Sequence, residues 1–189
     1  AGHEKRHCRT LLELVRRFIQ KYSARKRSLN CLDFADLEQY ALKLLTIETS
    51  HECQPSQLAM RLRNHYKYVL VDEFQDISLV QEKIIRSLSR DDNLFMVGDV
   101  KQSIYGWRHA QPDIFVRQLK KSRQYDLPAQ SECSLPIAIP LTSNFRSRPE
   151  VLEFVNIIFE KLMTEEFAAV PYDKTARLLP GTEHKPLDE

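Results

Sequence analysis

An α/β fold, a parallel sheet with flanking helices preceded by a helical N-terminal segment, is what this sequence predicts. Three observations carry that expectation. Short apolar runs at 68–71, 94–97 and 136–141 each lead into a polar cluster. Runs this short and bounded by polar residues read as strands buried on both faces. Stretches of helical period separate them, and the resulting strand–helix–strand order implies a parallel sheet. The polar clusters follow the carboxyl ends of the strands, where open parallel sheets bind ligands.

The composition suits one domain or pieces of two: 189 residues, 42% hydrophobic, 29% charged, net charge +2. With so small a net charge, a nucleic-acid site must be a local patch and not a globally basic surface. Cys8, Cys31, Cys53 and Cys133 form no C-x-x-C pair and read as free thiols of a reducing cytosol. No apolar run approaches the ~18 residues of a membrane span, and the N-terminus lacks a signal-peptide core, so a cytoplasmic protein is expected. Gly2, Gly98, Gly106 and Gly181 are the only glycines, and none opens a G-x-x-x-x-G-K-[ST] phosphate loop.

In chain order, Leu11, Leu12, Val15, Phe18, Ile19 and Tyr22 recur at helical spacing within 4–28, with a basic opposite face that thickens towards Arg25-Lys26-Arg27. That face is read as solvated, with DNA phosphate contact as the sharper alternative. Asp33 predicts an N-cap for a helix whose buried stripe is Phe34, Leu37, Ala41, Leu44 and Leu45. A polar break at 48–55 and a short helix over 56–64 lead to the first strand. Leu79, Val80, Ile84, Ile85 and Leu88 predict a helix that closes near Arg90. Pro112 and Pro149 each suit a helix's first turn. The helix from Pro149 is expected to turn Val151, Leu152, Val155, Ile158, Phe159 and Leu162 inward. Residues 122–134 read as a loop, and the tail from Thr164 as surface-crossing or frayed.

Each strand end carries residue types suited to nucleotide chemistry. Asp72 and Glu73 offer a Mg²⁺ contact and a water-orienting base, although Asp-Glu alone fits a solvated turn equally well. Gly98–Ser103 is a tight turn presenting the amide of Gln102. Tyr105 and Trp107 bracket Gly106 beside Arg108, the interleaving a single-strand stacking platform requires; core packing is the plainer alternative, accepted for Ile104. Phe145 can stack on a purine, and Arg146 can stabilise charge on a transferring phosphoryl group. His3-Glu4-Lys5-Arg6-His7 has the H-E-x-x-H form of zinc hydrolases, but it lacks an evident third ligand and reads as coincidence.

The wording and order of these clusters resemble the UvrD/Rep-type superfamily 1 helicases. Val71–Asp76 is similar to their motif II, Val97–Arg108 to motif III, Leu141–Ser147 to motif IV, and Leu32–Leu37 to the segment preceding motif II. Gly-Asp-Val-Lys-Gln at 98–102 points to the AddA/RecB-like branch of helicase–nuclease subunits. The resemblance implies a partial RecA-like P-loop NTPase sheet. Residues 1–65 would be the tail of an inserted helical subdomain, 66–127 the second half of the first motor domain, and 128–189 a linker and the start of the second. It implies ATP and Mg²⁺ as cofactors, single- and double-stranded DNA as partners, and a second helicase/nuclease subunit of AddB or RecC type. Asp72 would hold Mg²⁺, Glu73 would activate water, and Gln102 and Arg146 would contact the γ-phosphate. Phe145 would stack on adenine, and Tyr105, Trp107 and Arg108 would meet single-stranded DNA. The implied activity is ATP-driven 3′→5′ translocation in double-strand-break repair and recombination. The missing phosphate loop, later motifs and nuclease domain imply an internal fragment, inactive alone. The rival is a non-catalytic DNA- or partner-binding module derived from such a helicase.

Overall fold

The computed structural model describes residues 2–48, 53–125, 136–164 and 172–181, with side chains from Lys5 to Ile47 and again from Gln54. The chain divides into two compact units, Ala1–Leu70 with Val80–Phe95, and Val71–Leu79 with Met96–Glu189. Cys53, Cys133, His3 and Glu4 lie outside the described side chains, as do most of the expected 122–134 loop and parts of the tail.

In the first unit, helix α1 (Gly2–Ser28) ends in its basic turn and α2 (Phe34–Leu45) begins at the expected cap. Asp33 and Asp36 make a reciprocal capping box: Asp36 N–H donates to Asp33 Oδ1 at 2.8 Å, and Asp33 N–H to Asp36 Oδ2 at 3.0 Å. Lys26 Nζ bridges both acids, at 2.9 Å from Asp33 Oδ2 and 2.5 Å from Asp36 Oδ2, while Tyr22 Oη donates to Asp33 at 3.0 Å. The expected buried stripe of α2 is corrected. Leu45 is buried, whereas Phe34, Leu37 and Leu44 are exposed.

The polar break contains strands. β1 (Thr46–Glu48) pairs antiparallel with β2 (Cys53–Pro55). Ser56 closes this hairpin: its Oγ donates to Leu44 C=O at 2.6 Å and accepts from Ala59 N–H at 3.2 Å, capping α3 (Gln57–His65). Helix α4 (Leu79–Leu88) and α3 cap each other's carbonyl ends. Arg63 donates to Ser87 C=O at 2.9 Å and Arg86 C=O at 2.6 Å; Arg90 donates back to Arg63 and Tyr66 carbonyls. Buried Asn93 donates to Tyr66 C=O at 3.2 Å, so one side chain ties together the chain segments entering β3 (Val69–Val71) and β4 (Leu94–Met96).

β3 and β4 form a two-stranded sheet. Val69 N–H donates to Asn93 C=O and, further along, Val97 N–H donates to Val71 C=O. Partner numbers climb together, so the pair is parallel, as expected. Burial on both faces is not found: Leu70 is 73% and Phe95 56% exposed. In this pair the central residues face the uncovered side while their neighbours are half-buried, the period-two pattern of a sheet covered on one face.

In the second unit, a 3-10 turn (Phe74–Asp76) packs on helix α5 (Pro112–Lys121). Phe74 meets Phe115 edge-on at 5.7 Å, and Gln111 N–H donates to Ile77 C=O at 3.0 Å. Ile77, Ala110, Ile114, Phe115 and Val116 complete the buried set here. β5 (Arg123–Gln124) pairs parallel with β6 (Ile137–Ala138), and β7 (Ser143–Asn144) with β8 (Leu179–Pro180). Within the tail, Leu179–Pro180 pairs as a strand and both residues stay exposed. In α6 (Pro149–Leu162) Leu152 is buried and Val155 and Phe159 are half-buried, as expected, together with buried Asn156; Val151, Ile158 and Leu162 are exposed, which corrects the rest of the apolar stripe. Asn156 holds the tail: it donates to Leu178 C=O at 2.9 Å and accepts from Tyr172 Oη at 2.5 Å and Leu178 N–H at 3.1 Å. Four two-stranded sheets stand where one continuous parallel sheet was expected, among the described residues. No described helix is long and apolar enough to cross a membrane.

The α1–α2 junction gives a pH prediction. Its hydrogen bond from Lys26, reinforced by the Asp36 backbone, lowers the Asp33 pKa from 3.8 to about 2. A depressed folded-state pKa means the contribution is complete above the unfolded value and is lost as pH falls from about 4 towards 2. Lys26→Met should raise the Asp33 titration towards the ordinary carboxylate range, read by carboxyl carbon NMR against pH. An unmoved Asp33 titration would discard the bridging role.

Candidate nucleotide and nucleic-acid site

The sequence-predicted site residues all lie in the second unit. They fall into three groups, at the ends of β3, β4 and β7.

The first group starts where β3 ends. Asp72 Oδ1 accepts Glu73's own N–H at 2.9 Å, and Glu73 takes a left-handed backbone, φ 49°. Such a conformation costs a non-glycine residue of order 1–3 kcal/mol and persists only where its surroundings hold it. Here the buried 3-10 turn follows immediately, locked by Phe74 N–H donating to Val97 C=O at 2.8 Å. The left-handed residue lets the chain reverse directly off the strand, and Gln75 Nε2 then donates to Glu73 Oε2 at 2.7 Å. Glu73 and Asp72 remain exposed, and among the described residues no hydrogen bond or ion pair engages Asp72 Oδ2.

The second group is the turn after β4. Asp99 N–H donates to Gln75 Oε1 at 2.9 Å. The Asp99 carboxylate caps the following 3-10 turn (Val100–Gln102) by accepting Lys101 N–H at 3.1 Å; it also pairs with Lys101 Nζ at 2.8 Å and accepts from Gln102 Nε2 at 3.1 Å. Gly98 is required for closeness, not for φ. A Cβ there would stand 2.6 Å from Gln75 Oε1 and 3.1 Å from both Phe115 and the Phe74 nitrogen. Gly106 meets no such demand, since a Cβ there has nothing within 4 Å.

Beyond this turn, Tyr105 and Trp107 meet edge-on at 6.3 Å, with the Arg108 guanidinium 4.5 Å from the Trp107 ring and 5.5 Å from Tyr105. Trp107 is 71% exposed, so the core-packing alternative for it is set aside. Two rings and a cation form one exposed aromatic-cationic surface, the composition that base stacking uses.

The third group follows β7. Asn144 Oδ1 accepts from the N–H groups of Arg146 (2.9 Å) and Ser147 (2.8 Å), turning the chain off the strand and leaving Phe145 68% exposed. A Cβ on Gly181 would lie 2.5 Å from the Phe145 ring, so the ring's position depends on that glycine. Among the described residues, no hydrogen bond, ion pair or ring contact joins Phe145 or Arg146 to Glu73 or Gln102. The structure thus brings Glu73 and Gln102 into one network through Gln75 and Asp99, and among the described residues the group after β7 is not bonded to it.

Two participants were missed in the sequence: Gln75 and the backbone role of Asp99. The available signal was an amide set between acids at 73 and 76 and directly after a large apolar residue, a pattern unusual for a solvated turn. As for a metal, Asp72 offers a carboxylate with one free oxygen. Mg²⁺ is commonly held by one or two carboxylates together with substrate phosphates, and the donor set fits that arrangement. No group of three or more described His, Cys, Asp or Glu side chains forms a protein-only metal cage.

The described residues thus place an acid pair at a parallel strand's end, an amide-bearing turn after the neighbouring strand and an exposed aromatic-cationic surface beyond it. Residues 3–123 match the UvrD/REP helicase N-terminal domain, and the chain belongs to that family. It is 44% identical over 176 residues to an ATP-dependent helicase/nuclease subunit of Desulfitobacterium hafniense (strain DSM 10664 / DCB-2), covering 91% of this chain and 12% of that protein. It is 42% identical to proteins of the same name from Lysinibacillus sphaericus (strain C3-41), over 184 residues, and Staphylococcus epidermidis (strain ATCC 12228 / FDA PCI 1200), over 183 residues. Both of these matches cover 95% of this chain and 14% of the relative. The chain thus spans only 12–14% of the length of these curated relatives.

The close approach at Gly98 predicts that Gly98→Ala destabilises the fold by about 1–3 kcal/mol through overpacking, measured by denaturant unfolding. An unchanged midpoint would show that the Gln75 turn is free to yield.

Proposed function

We propose that this chain is a RecA-like motor segment of an ATP-dependent DNA helicase/nuclease, one that translocates 3′→5′ on single-stranded DNA in double-strand-break repair and recombination. The observation that carries the reading is the network joining Glu73 to the Gln102 turn, in a chain similar to ATP-dependent helicase/nuclease subunits. Residues 1–65 belong in this reading to an inserted helical subdomain, 66–127 to the first motor domain, and 128–189 to a linker and the second. The whole enzyme works in the cytoplasm with a second subunit of AddB- or RecC-like type, and meets duplex as well as single-stranded DNA.

The mechanism follows from what each side chain can do. Asp72 would hold Mg²⁺, which when bound would neutralise charge on the phosphates. Glu73, anchored at one oxygen by Gln75, accepts the proton of the attacking water at the other. Gln102 contacts the γ-phosphate, and its bond to Asp99 sets the direction from which it does so. Arg146 supplies positive charge as the γ-phosphoryl group departs, and the exposed Phe145 ring stacks on adenine. Tyr105, Trp107 and Arg108 hold single-stranded bases just after the Gln102 turn, so phosphate contact and DNA grip share one short segment.

A second reading is favoured by the missing phosphate loop: these residues alone act as a DNA- or partner-binding module without catalysis. DNA-stimulated ATP hydrolysis by the purified chain would eliminate it. In the enzyme carrying this segment, Glu73→Gln should lower kcat by about 10²–10⁴-fold while nucleotide affinity is kept. Retained turnover would remove Glu73 as the base. Trp107→Ala should weaken single-stranded DNA binding by about 1–3 kcal/mol, read by fluorescence anisotropy, with no loss of folding. Unchanged affinity would refute the stacking role.

A further inference from the structure

Gln75 is the most completely enclosed polar side chain described, 1% exposed, and no part of its amide is idle. Nε2 donates to Glu73 Oε2 at 2.7 Å and to Asp76 Oδ2 at 3.3 Å, while Oε1 accepts Asp99 N–H at 2.9 Å. These partners dictate the amide's orientation: carboxylates require the NH₂ end, and a backbone N–H requires the carbonyl end. The residue's own carbonyl accepts from Ser103 Oγ at 3.4 Å. Gln75 is therefore bonded on one side to the acid after β3 and on the other to the turn after β4.

We infer that Gln75 is a positioning residue that holds the Glu73 carboxylate and the Gly98–Gln102 turn in one register, so that the base and the phosphate-contacting amide are set together. The path is continuous: Glu73 carboxylate, Gln75 amide, Asp99 backbone, Asp99 carboxylate, Gln102 amide. Alternatives at position 75 fail for stated reasons. Glu would face the Glu73 and Asp76 carboxylates with a like charge, Asn is one methylene short, and an apolar residue would leave Asp99 N–H without its acceptor. The strain at Glu73 fits the same role. A left-handed residue permits the short reach to Gln75, and the bond at Oε2 leaves the second oxygen for a proton.

This inference rests on Glu73 being the hydrolytic base, and the test separates the two. Gln75→Glu keeps an acceptor for Asp99 N–H and loses the donor to Glu73; Gln75→Met loses both. Made in the enzyme that carries this segment, each should lower kcat for ATP hydrolysis by about 10²-fold, the scale of a 1 Å misplacement. KM for ATP and the affinity for a non-hydrolysable nucleotide should stay near wild type. Gln75→Met should also speed hydrogen exchange at the Asp99 amide, and Gln75→Glu should not. Wild-type turnover in both folded variants, beside an inactive Glu73→Gln, overturns the positioning role alone. Turnover in Glu73→Gln overturns the base assignment and this inference with it. Should neither Gln75 variant fold, exchange in the wild-type chain decides: a slow Asp99 amide and slow Gln75 NH₂ support the role, and exchange at free-amide rates overturns it.

Discussion

A primary amide sealed from water must satisfy both its ends inside the protein, and the site is organised around that requirement at Gln75. Leaving a buried donor or acceptor unpaired costs about 1–3 kcal/mol, so the neighbours of this side chain are constrained as strongly as the side chain itself. Gly98 must lack a Cβ because the amide oxygen occupies that space. Glu73 must turn left-handed to bring its carboxylate into range, and Asp99 must present its backbone N–H. The apolar side of the same turn is no freer. Phe74 wedges against Phe115, so α5 fixes the turn on one side while Val97 C=O holds the Phe74 N–H.

The same economy of anchoring recurs elsewhere in the chain. Asn93 and Arg90 satisfy the carbonyl end of α3 and at once set where β3 and β4 begin. Asn156 does for β8 what Asn93 does for β3: a buried amide holds the backbone of a distant segment. Lys26 neutralises two carboxylates that would otherwise repel across the Asp33 capping box. In each case one polar side chain with several partners substitutes for the extensive apolar burial that short strands and half-covered helices do not provide.

Helix beginnings were legible in the sequence. Asp33, Pro112 and Pro149 mark starts that the structure reproduces, because capping oxygens and the fixed φ of proline act within a few residues. Helical periodicity was a poorer guide to burial. It showed that Leu37, Leu44 and Val151 share faces with other apolar residues, and these side chains are nonetheless exposed. Periodicity reports what a face can bury, whereas burial requires a covering element that the spacing does not name. The hairpin of β1 and β2 was hidden because Thr-Ile-Glu and Cys-Gln-Pro are too short to display alternation.

For the site, sequence by itself determined the residue types and their order, and the attachment of Asp72, Glu73 and Gln102 to strand ends; the strand before Phe145 and Arg146 was expected over 136–141 and lies instead at Ser143–Asn144. Within these 189 residues no G-x-x-x-x-G-K-[ST] loop occurs. Only the tertiary structure decided that Gln75 turns inward between Glu73 and Asp99, that Trp107 stays exposed beside Arg108, and that the Leu179 strand returns to β7. The physical reason is range. Caps, turns and strand-end chemistry are written in neighbouring residues, while an amide's partners 24 residues away exist only once two strands have been brought side by side.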